Sequence, residues 1–418
     1  MLSRWKWVFI RYARKLWVRA FLFALVGIIS ALAAIVLSPI LPVGWASKIG
    51  ADAIDNILEI LASSMLVVAT FSLSTMVSAY AAASSGTTPR VVKLLMADTH
   101  SQNAIATFIG GFLYSLVGII ALSTGLYGEA GRIVLFFVTI LVAGFIVVTF
   151  IRSIDHVSQL GRVGDSIDRV AATAVQAMDD RRENPYLGGR PLAGRPRPHH
   201  PVRLEKIGYV QHLDMAALQR LAEEVEGEIH VDALPGRLVD PSRPVLWTNF
   251  ELDDAQHQRL HDAFSVDTHR SYDQDPRFGV IVLAEIASKA LSPGVNDPGT
   301  AIAVIAALVG VLARWTCPVE EPELYFDRIY VPPILVDDLF DDAFAAIGND
   351  CASSVAVGVR LQKALLALAR TGDDAYRRAA RHQSTMALAR ARLALSLPED
   401  NTRLAEVAAQ IPEPKTGA

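Results

Sequence analysis

The stretch ILASSMLVVATFSLSTMVSAYAAASSGTTPR, Ile60 to Arg90, carries no charge before its last residue. A helix needs about 20 apolar residues to cross the hydrocarbon core of a bilayer, and this run exceeds that length. It therefore predicts a membrane-spanning helix. The run is also rich in hydroxyls. At about 100° per residue, Ser63, Thr70, Ser74, Ser78 and Ser85 fall within an arc of roughly 80°. Leu61, Met65, Leu66, Val68, Leu73 and Val77 take other directions. Such a stripe has two uses in a membrane. It lets another helix approach closely, each hydroxyl bonding back to a carbonyl one turn earlier. Or it lines a wet path where waters and ions exchange hydrogen bonds with side chains. Both readings stay open on the sequence.

Working outward, the N-terminal flank MLSRWKWVFIRYARKLWVR interleaves Arg4, Lys6, Arg11, Arg14, Lys15 and Arg19 with Trp5, Trp7, Tyr12 and Trp17. That is the composition of a segment lying along a membrane surface. A first span is expected over about 20–41, closed by Pro39 and Pro42; its apolar run is too long for the core of a signal peptide. After the hydroxyl helix at about 60–85 comes a short amphipathic stretch, Val91 to Met96, and then spans at about 104–126 and 133–151. Gly110, Gly111 and Gly118 in the third span permit close helix contact. Lys and Arg number six in the N-terminal flank, one in the first loop, two in the second and one in the third. Both termini on the cytosolic side of a bacterial inner membrane satisfy the positive-inside rule at every loop. No Asp, Glu, Lys, Arg or His lies within the four spans, which argues against a proton-coupled pump or voltage sensor and fits a passive pore or a plain anchor.

Residues 1–152 thus form a four-span membrane domain, and the remainder reads as a cytosolic α+β domain. The fourth span runs into RSIDHVSQLGRVGDSIDRVAATAVQAMDD, where Val157, Leu160, Gly164, Ile167, Ala171, Ala174 and Met178 repeat at three- and four-residue spacing. That seam over 153–182 suits a helical extension gathering copies into a homo-oligomer, or a helix packing on its own domain. Residues 183–203 are dense in Pro, Gly and Arg and read as a linker. The α+β domain is expected over 204–400: a strand in GYVQHL, a helix in MAALQRLAEE, two or three short strands to Phe250, and a helix holding His257 and His261. The tail 401–418 is expected to fray.

The chemistry-bearing patterns are sparse. His257 and His261, with Asp262 and His269, have zinc-like spacing but lack the Glu of the metalloprotease motif; His199 and His200 sit in a Pro-rich loop without a ligand set. No metal or cofactor is expected. Cys317 and Cys351 suit reduced, structural thiols. In DTHRSYDQDPRFGVIVLAEIASKALSPGVNDPGTA, two helices are joined by SPGVNDP, where Asp297 suits an N-cap and Pro298 the first helical position. Arg270, Asp275, Asn296 and Asp297 are read as either an ion-paired hairpin or a polar ligand pocket. The helix Ala301 to Leu312 is apolar on nearly all sides, as in a core or an oligomer interface. The net charge of −4 gives no reason to expect a nucleic-acid partner. No nucleophile–base pair or phosphate loop points to an enzyme.

Two motifs, AASSGTTPR (Ala82 to Arg90) and ALSPGVNDPGTA (Ala290 to Ala301), with GYVQHLD (Gly208 to Asp214), resemble the bacterial membrane-protein family catalogued as domain of unknown function 2254. Gly86-Thr87 replaces a usually bulkier pair and Val295 a usual Ile. The resemblance implies a multi-span membrane protein with a cytosolic C-terminal domain and no assigned activity. From the residues themselves, the leading expectation is a homo-oligomeric ion or small-solute channel lined by the hydroxyl stripe. Its rival is a membrane-anchored ligand sensor or scaffold acting through the cytosolic domain.

Overall fold

The computed structural model describes residues 16–37, 51–124, 129–159, 161–192, 194, 198–318 and 322–414. The basic aromatic flank before Leu16, the Pro39 and Pro42 stop and the last four residues lie outside them. The described residues divide into two compact units, 16–162 and 163–414.

The first unit is all helical: α1 (Leu16–Leu37), α2 (Ala51–Gly86), α3 (Pro89–Met96), α4 (Thr99–Ser123) and α5 (Glu129–Gln159). Helices α1, α2, α4 and α5 lie over the four stretches expected to span, with shifted ends; α1 is described only to Leu37. The hydroxyl helix is longer than its uncharged run, because Asp52, Asp55 and Glu59 ride on its first turns instead of forming a loop. α4 is the central helix. It starts at Asp98, whose side chain accepts from Ser101 N, and packs against α1, α2 and α5. Glycine makes the tightest of these contacts possible: a Cβ on Gly27 of α1 would lie 2.6 Å from the Gly110 carbonyl oxygen, and one on Gly110 2.9 Å from that of Phe23. Across the bundle, Tyr114 and Thr139 share a buried hydroxyl pair at 2.8 Å, joining α4 to α5. Burial is uneven: 61% of the α4 span is enclosed, against 28% of the α5 span and 11% of the α2 span. Most of α2 therefore faces outward from the protomer.

Among the described residues four helical segments are long and apolar enough to cross a membrane: Ala53–Gly86, Thr99–Ser123, Gly131–Ile154 and Pro298–Trp315. The last belongs to the second unit. There it buries Ala301, Val304, Ile305, Leu308, Val311 and Leu312 against neighbouring helices, the core position its apolar composition suggests.

The helix does not run on from the fourth span. α5 ends at Gln159, Gly161 takes a left-handed φ of 89° that a helix cannot accommodate, and α6 (Val163–Glu183) starts afresh. Of the seam positions on α6, Ile167, Ala174 and Met178 are buried within the second unit, Ala171 is half-buried and Gly164 is exposed, while Leu160 lies outside the described residues; α6 packs on α9 (Pro276–Leu291) and α10 (Pro298–Trp315). A Cβ on Gly279 would collide with Ala174, so α6 and α9 cross at near-backbone distance.

The segment 183–203 is not a plain linker. Leu187 is buried, Gly188 O accepts from Tyr325 N and Phe326 N, and two strands form: β1 (Arg190–Pro191) and β2 (His200–Arg203). The composition misleads because both strands are short and held by partners far along the chain. β1 pairs in parallel with β8 (Ile329–Val331), and β2 antiparallel with β6 (Pro244–Thr248). With β4 (Ile229–Val231) they complete a five-stranded sheet of order β1-β8-β4-β6-β2. A second sheet has order β5-β3-β7, formed by β3 (Gly208–Leu213), β5 (Leu238–Val239) and β7 (Phe264–Asp267). α7 (Met215–Glu224) and α8 (Asp254–Ala263) pack beside these sheets on a core including Val210, Leu218, Ile229, Val245 and Leu260.

Helices close the unit: α11 (336–350, with a π turn at Asp341–Ala345), α12 (Val355–Thr371), α13 (Asp374–Ala394) and α14 (Pro398–Ala408). The tail does not fray directly after Pro398. Leu404 and Ile411 are buried, so apolar anchors hold the segment down through 411.

Candidate functional site

Each hydroxyl of the α2 stripe is on the outer surface of the bundle. Ser63, Thr70, Ser74, Ser78 and Ser85 are all exposed, while Met65, Ala69, Met76 and Ala83 of the same helix are buried. The back-bonding pattern is present: Thr70 Oγ1 donates to Leu66 O at 2.8 Å, Ser78 Oγ to Ser74 O at 3.0 Å, and Ser63 and Ser85 to carbonyls of the preceding turn. Leu66, Val67, Thr70, Phe71 and Ser74 outline a shallow open dent on this face. The stripe therefore does not pack helices together within one protomer.

At one end of the same unit, polar groups from three helices meet. Asp98 Oδ2 lies 2.7 Å from His156 Nε2, tying the start of α4 to the end of α5. The His156 and His100 rings stand 5.4 Å apart, and Arg19 of α1 donates to Asn103 Oδ1 at 2.8 Å. Burial would raise the Asp98 carboxyl, but hydrogen bonds from Ser101 and His156 prevail and hold it at about 2. A folded-state value below the ordinary 3.8 means this stabilisation is complete above the unfolded value and is lost as pH falls through the folded one. The chain in detergent should therefore lose on the order of 2 kcal/mol of stability between pH of about 4 and about 2. Acid unfolding of Asp98→Asn checks this: the variant starts less stable and lacks that component of the pH slope.

In the second unit, Asp275 caps α9, accepting from Arg277 N, and is only 2% exposed. Arg270 holds it with two bonds, Nε to Oδ2 at 2.7 Å and Nη2 to Oδ1 at 3.0 Å, and lies over the Phe278 ring. Burial pushes the Asp275 carboxyl up, opposed by the Arg270 bonds and by the charges of Arg270, Arg181 and Arg277. Arg181 of α6 is itself buried and donates to Gln274 O at 2.9 Å; burial lowers its guanidinium to about 10. The remaining side is shut by Gly236 (φ 93°), where any Cβ would strike the Asp275 carboxylate. The arrangement is a filled ionic clasp joining α6, α9 and the β3–β5 region.

Asn296 and Asp297 are not part of it. They lie beyond the C-terminal end of α9, a helix of 16 residues and thus about 24 Å long, while Asp275 caps its start. Asp297 caps α10, accepting from Thr300 N at 3.0 Å, and Asn296 takes a left-handed φ of 49° in an exposed turn. The four residues read together in the sequence thus divide between a buried clasp and a surface turn.

The His257 and His261 rings are 6.2 Å apart, and His261 Nε2 lies 3.0 Å from Arg203 O. Among the described residues no group of three or more His, Cys, Asp or Glu is placed to hold a metal. Both cysteines are free thiols, and burial pushes Cys351 up to about 11. A half-enclosed recess of about 220 Å³ has Leu204, Phe264 and Val266 as its floor and Glu205, Lys206, His261 and Asp262 at its rim.

Asp98–His156 and the Arg181 contact were invisible to local patterns, because their partners are 58 and 93 residues apart. The only hint was an unusual position: Asp98 and His156 flank spans otherwise free of charge.

An outward hydroxyl helix, a bundle with apolar outer surfaces and a separate α+β unit define an integral membrane protein. The chain belongs to the family described as predicted membrane protein (DUF2254), whose model matches residues 13–367. It is similar to two uncharacterized mycobacterial proteins, Rv1290c of Mycobacterium tuberculosis and Mb1321c of Mycobacterium bovis. Each is 24% identical over 289 residues, covering 63% of this chain and 53% of the relative. The chain thus spans about half the length of the curated relatives it matches. No solved structure matches it.

Proposed function

We propose that this chain is the protomer of a homo-oligomeric passive channel for ions or small solutes, with α2 lining a path between copies. α1, α2, α4 and α5 cross a bacterial inner membrane, and the second unit and both termini are cytosolic. The observation carrying this reading is the outward stripe. Five hydroxyls share one exposed arc of a helix that is mostly unburied in the protomer. Against lipid these back-bonded hydroxyls gain nothing over apolar side chains, whereas facing symmetry mates their oxygen lone pairs supply dipoles to a wet path. The cytosolic unit then forms a vestibule or gate.

Ion flux from liposomes tests it. Ser74→Leu and Ser78→Leu replace stripe hydroxyls with bulk on an exposed face, so the fold is preserved. Flux is expected to fall to the level of protein-free liposomes at unchanged oligomer size. Flux that ignores both substitutions removes α2 from the path.

A second reading, a non-conducting sensor, is favoured by the recess at Leu204, Phe264 and Val266, whose apolar floor and charged rim of both signs suit a small zwitterion. Ion-tight liposomes containing the intact oligomer would select it.

A further inference from the structure

We propose that the outer face of the α12–α13 hairpin is a docking surface for an anionic phospholipid bilayer. The two helices are joined by Gly372 and Asp373 and pack against each other; Gln362 bonds to Ser384, and Val359 and Ala391 share a core cluster. Sequence separations that widen away from the turn show that they run antiparallel.

Their charge sets them apart from the chain. α12 and α13 carry eight Lys and Arg against one Asp, formally +7, whereas the whole chain is −4. The exposed positions of α12 are Ala356, Arg360, Lys363, Ala367, Arg370 and Thr371, a single stripe without a carboxylate. On α13, Arg378 and Arg392 are exposed. Among the described residues, the side chains of Arg360, Lys363, Arg370, Arg378 and Arg392 make no ion pair or hydrogen bond. By contrast Arg377 is paired with Asp374, and Arg381 with Glu413. The fold thus neutralises some of its cations and presents five others to an outside partner. On α13, Met386 is 40% exposed and Leu393, next to Arg392, is 92% exposed.

Cations interleaved with exposed apolar side chains match the boundary between anionic headgroups and acyl chains. A second copy of the hairpin would set like charges against one another. A single-stranded nucleic acid would call for an aromatic stacking platform, and neither helix exposes a Phe, Tyr or Trp. Membership of a membrane-protein family also keeps the face at high effective concentration near lipid.

The test uses the full chain in nanodiscs, with Cys317→Ser removing the half-buried thiol and Thr385→Cys placing a reporter on the exposed face of α13. The probe is an uncharged polyethylene glycol maleimide, and Ala255→Cys on α8 is the control. In phosphatidylglycerol discs, labelling at Thr385→Cys is expected to be at least about ten-fold slower than in phosphatidylcholine discs, which two of the five cations would already supply at on the order of five-fold in partition each. Raising salt to about 0.5 M relieves the protection. Converting the five unpaired cations to Gln abolishes it, and the control is unchanged throughout. Equal labelling in the two lipids overturns the proposal. So does protection that follows the number of chains per disc whatever the lipid, which marks a second copy, or protection that appears only with added RNA.

Discussion

Arg270→Ala is expected to destabilise the second unit by about 3–5 kcal/mol, enough to unfold a marginal domain. The reason is asymmetry. With both partners present, desolvation of Asp275 is offset by two charge-assisted bonds and the N-cap bond to Arg277 N. With Arg270 gone, the carboxylate stays buried beneath Gly236 with Arg181 as its nearest cation, and Arg181 already bonds Gln274 O. The uncompensated charge, not the lost contact, sets the size of the effect. Replacing Asp275 with Asn, which keeps an N-cap acceptor, should cost less than Arg270→Ala. Urea unfolding of the detergent-solubilised chain, followed by tryptophan fluorescence, measures both. A loss below about 1 kcal/mol for Arg270→Ala would mean the clasp is weakly coupled to the fold.

This clasp also shows where sequence reading succeeds and where it stops. The helical hairpin was legible because both helices carry local signals: Asp275 before Pro276, and Asp297 before Pro298, are N-caps preceding a proline. That Arg270 bonds Asp275 was within reach too, at a separation of five residues. The third member, Arg181, has no local signal, since nothing nearby in sequence says that an Arg will be buried by a segment 93 residues away. Asn296 and Asp297 were grouped with Asp275 because they are close in sequence, whereas a helix in between carries them to its other end. The same logic governs the fold. Long apolar periods located α2, α4 and α5, but missed their polar ends by as much as nine residues, because charged first and last turns continue the helices beyond the apolar runs. β1 and β2, two and four residues long, exist only through pairing with β8 and β6, so composition alone suggested a linker. The heptad-like seam found Ile167, Ala174 and Met178 of the buried face of α6, missed Val170, included the exposed Gly164, and was silent about what buries that face. Helix periodicity identifies a face and not its partner.

Gly110→Leu is expected to have the largest effect in the first unit, about 3 kcal/mol or more, because backbone rather than side chain opposes it. A Cβ at Gly110 would meet the Phe23 carbonyl oxygen at 2.9 Å and its carbon at 3.1 Å, and the reciprocal Cβ at Gly27 would meet Gly110 O at 2.6 Å. Neither carbonyl moves without its helix, so α1 and α4 must separate. In lipid there is no hydrophobic driving force to restore the contact, and helix association rests on close packing. Gly111 and Gly118 provide the comparison. A Cβ at Gly111 meets the Ile146 Cδ1 methyl at 2.7 Å and one at Gly118 meets Leu58 Cδ1 at 3.1 Å, both ends of side chains that can rotate. Gly118→Ala should therefore be tolerated, Gly111→Ala should be intermediate, and Gly110→Ala should already impair packing. Thermal stability of the four variants in one detergent sets the order. If Gly118→Ala proves as damaging as Gly110→Ala, side-chain packing around α4 rather than backbone approach governs the bundle. Because α4 also packs against α2, an outward shift of α1 leaves the hydroxyl stripe in place even where the bundle is weakened.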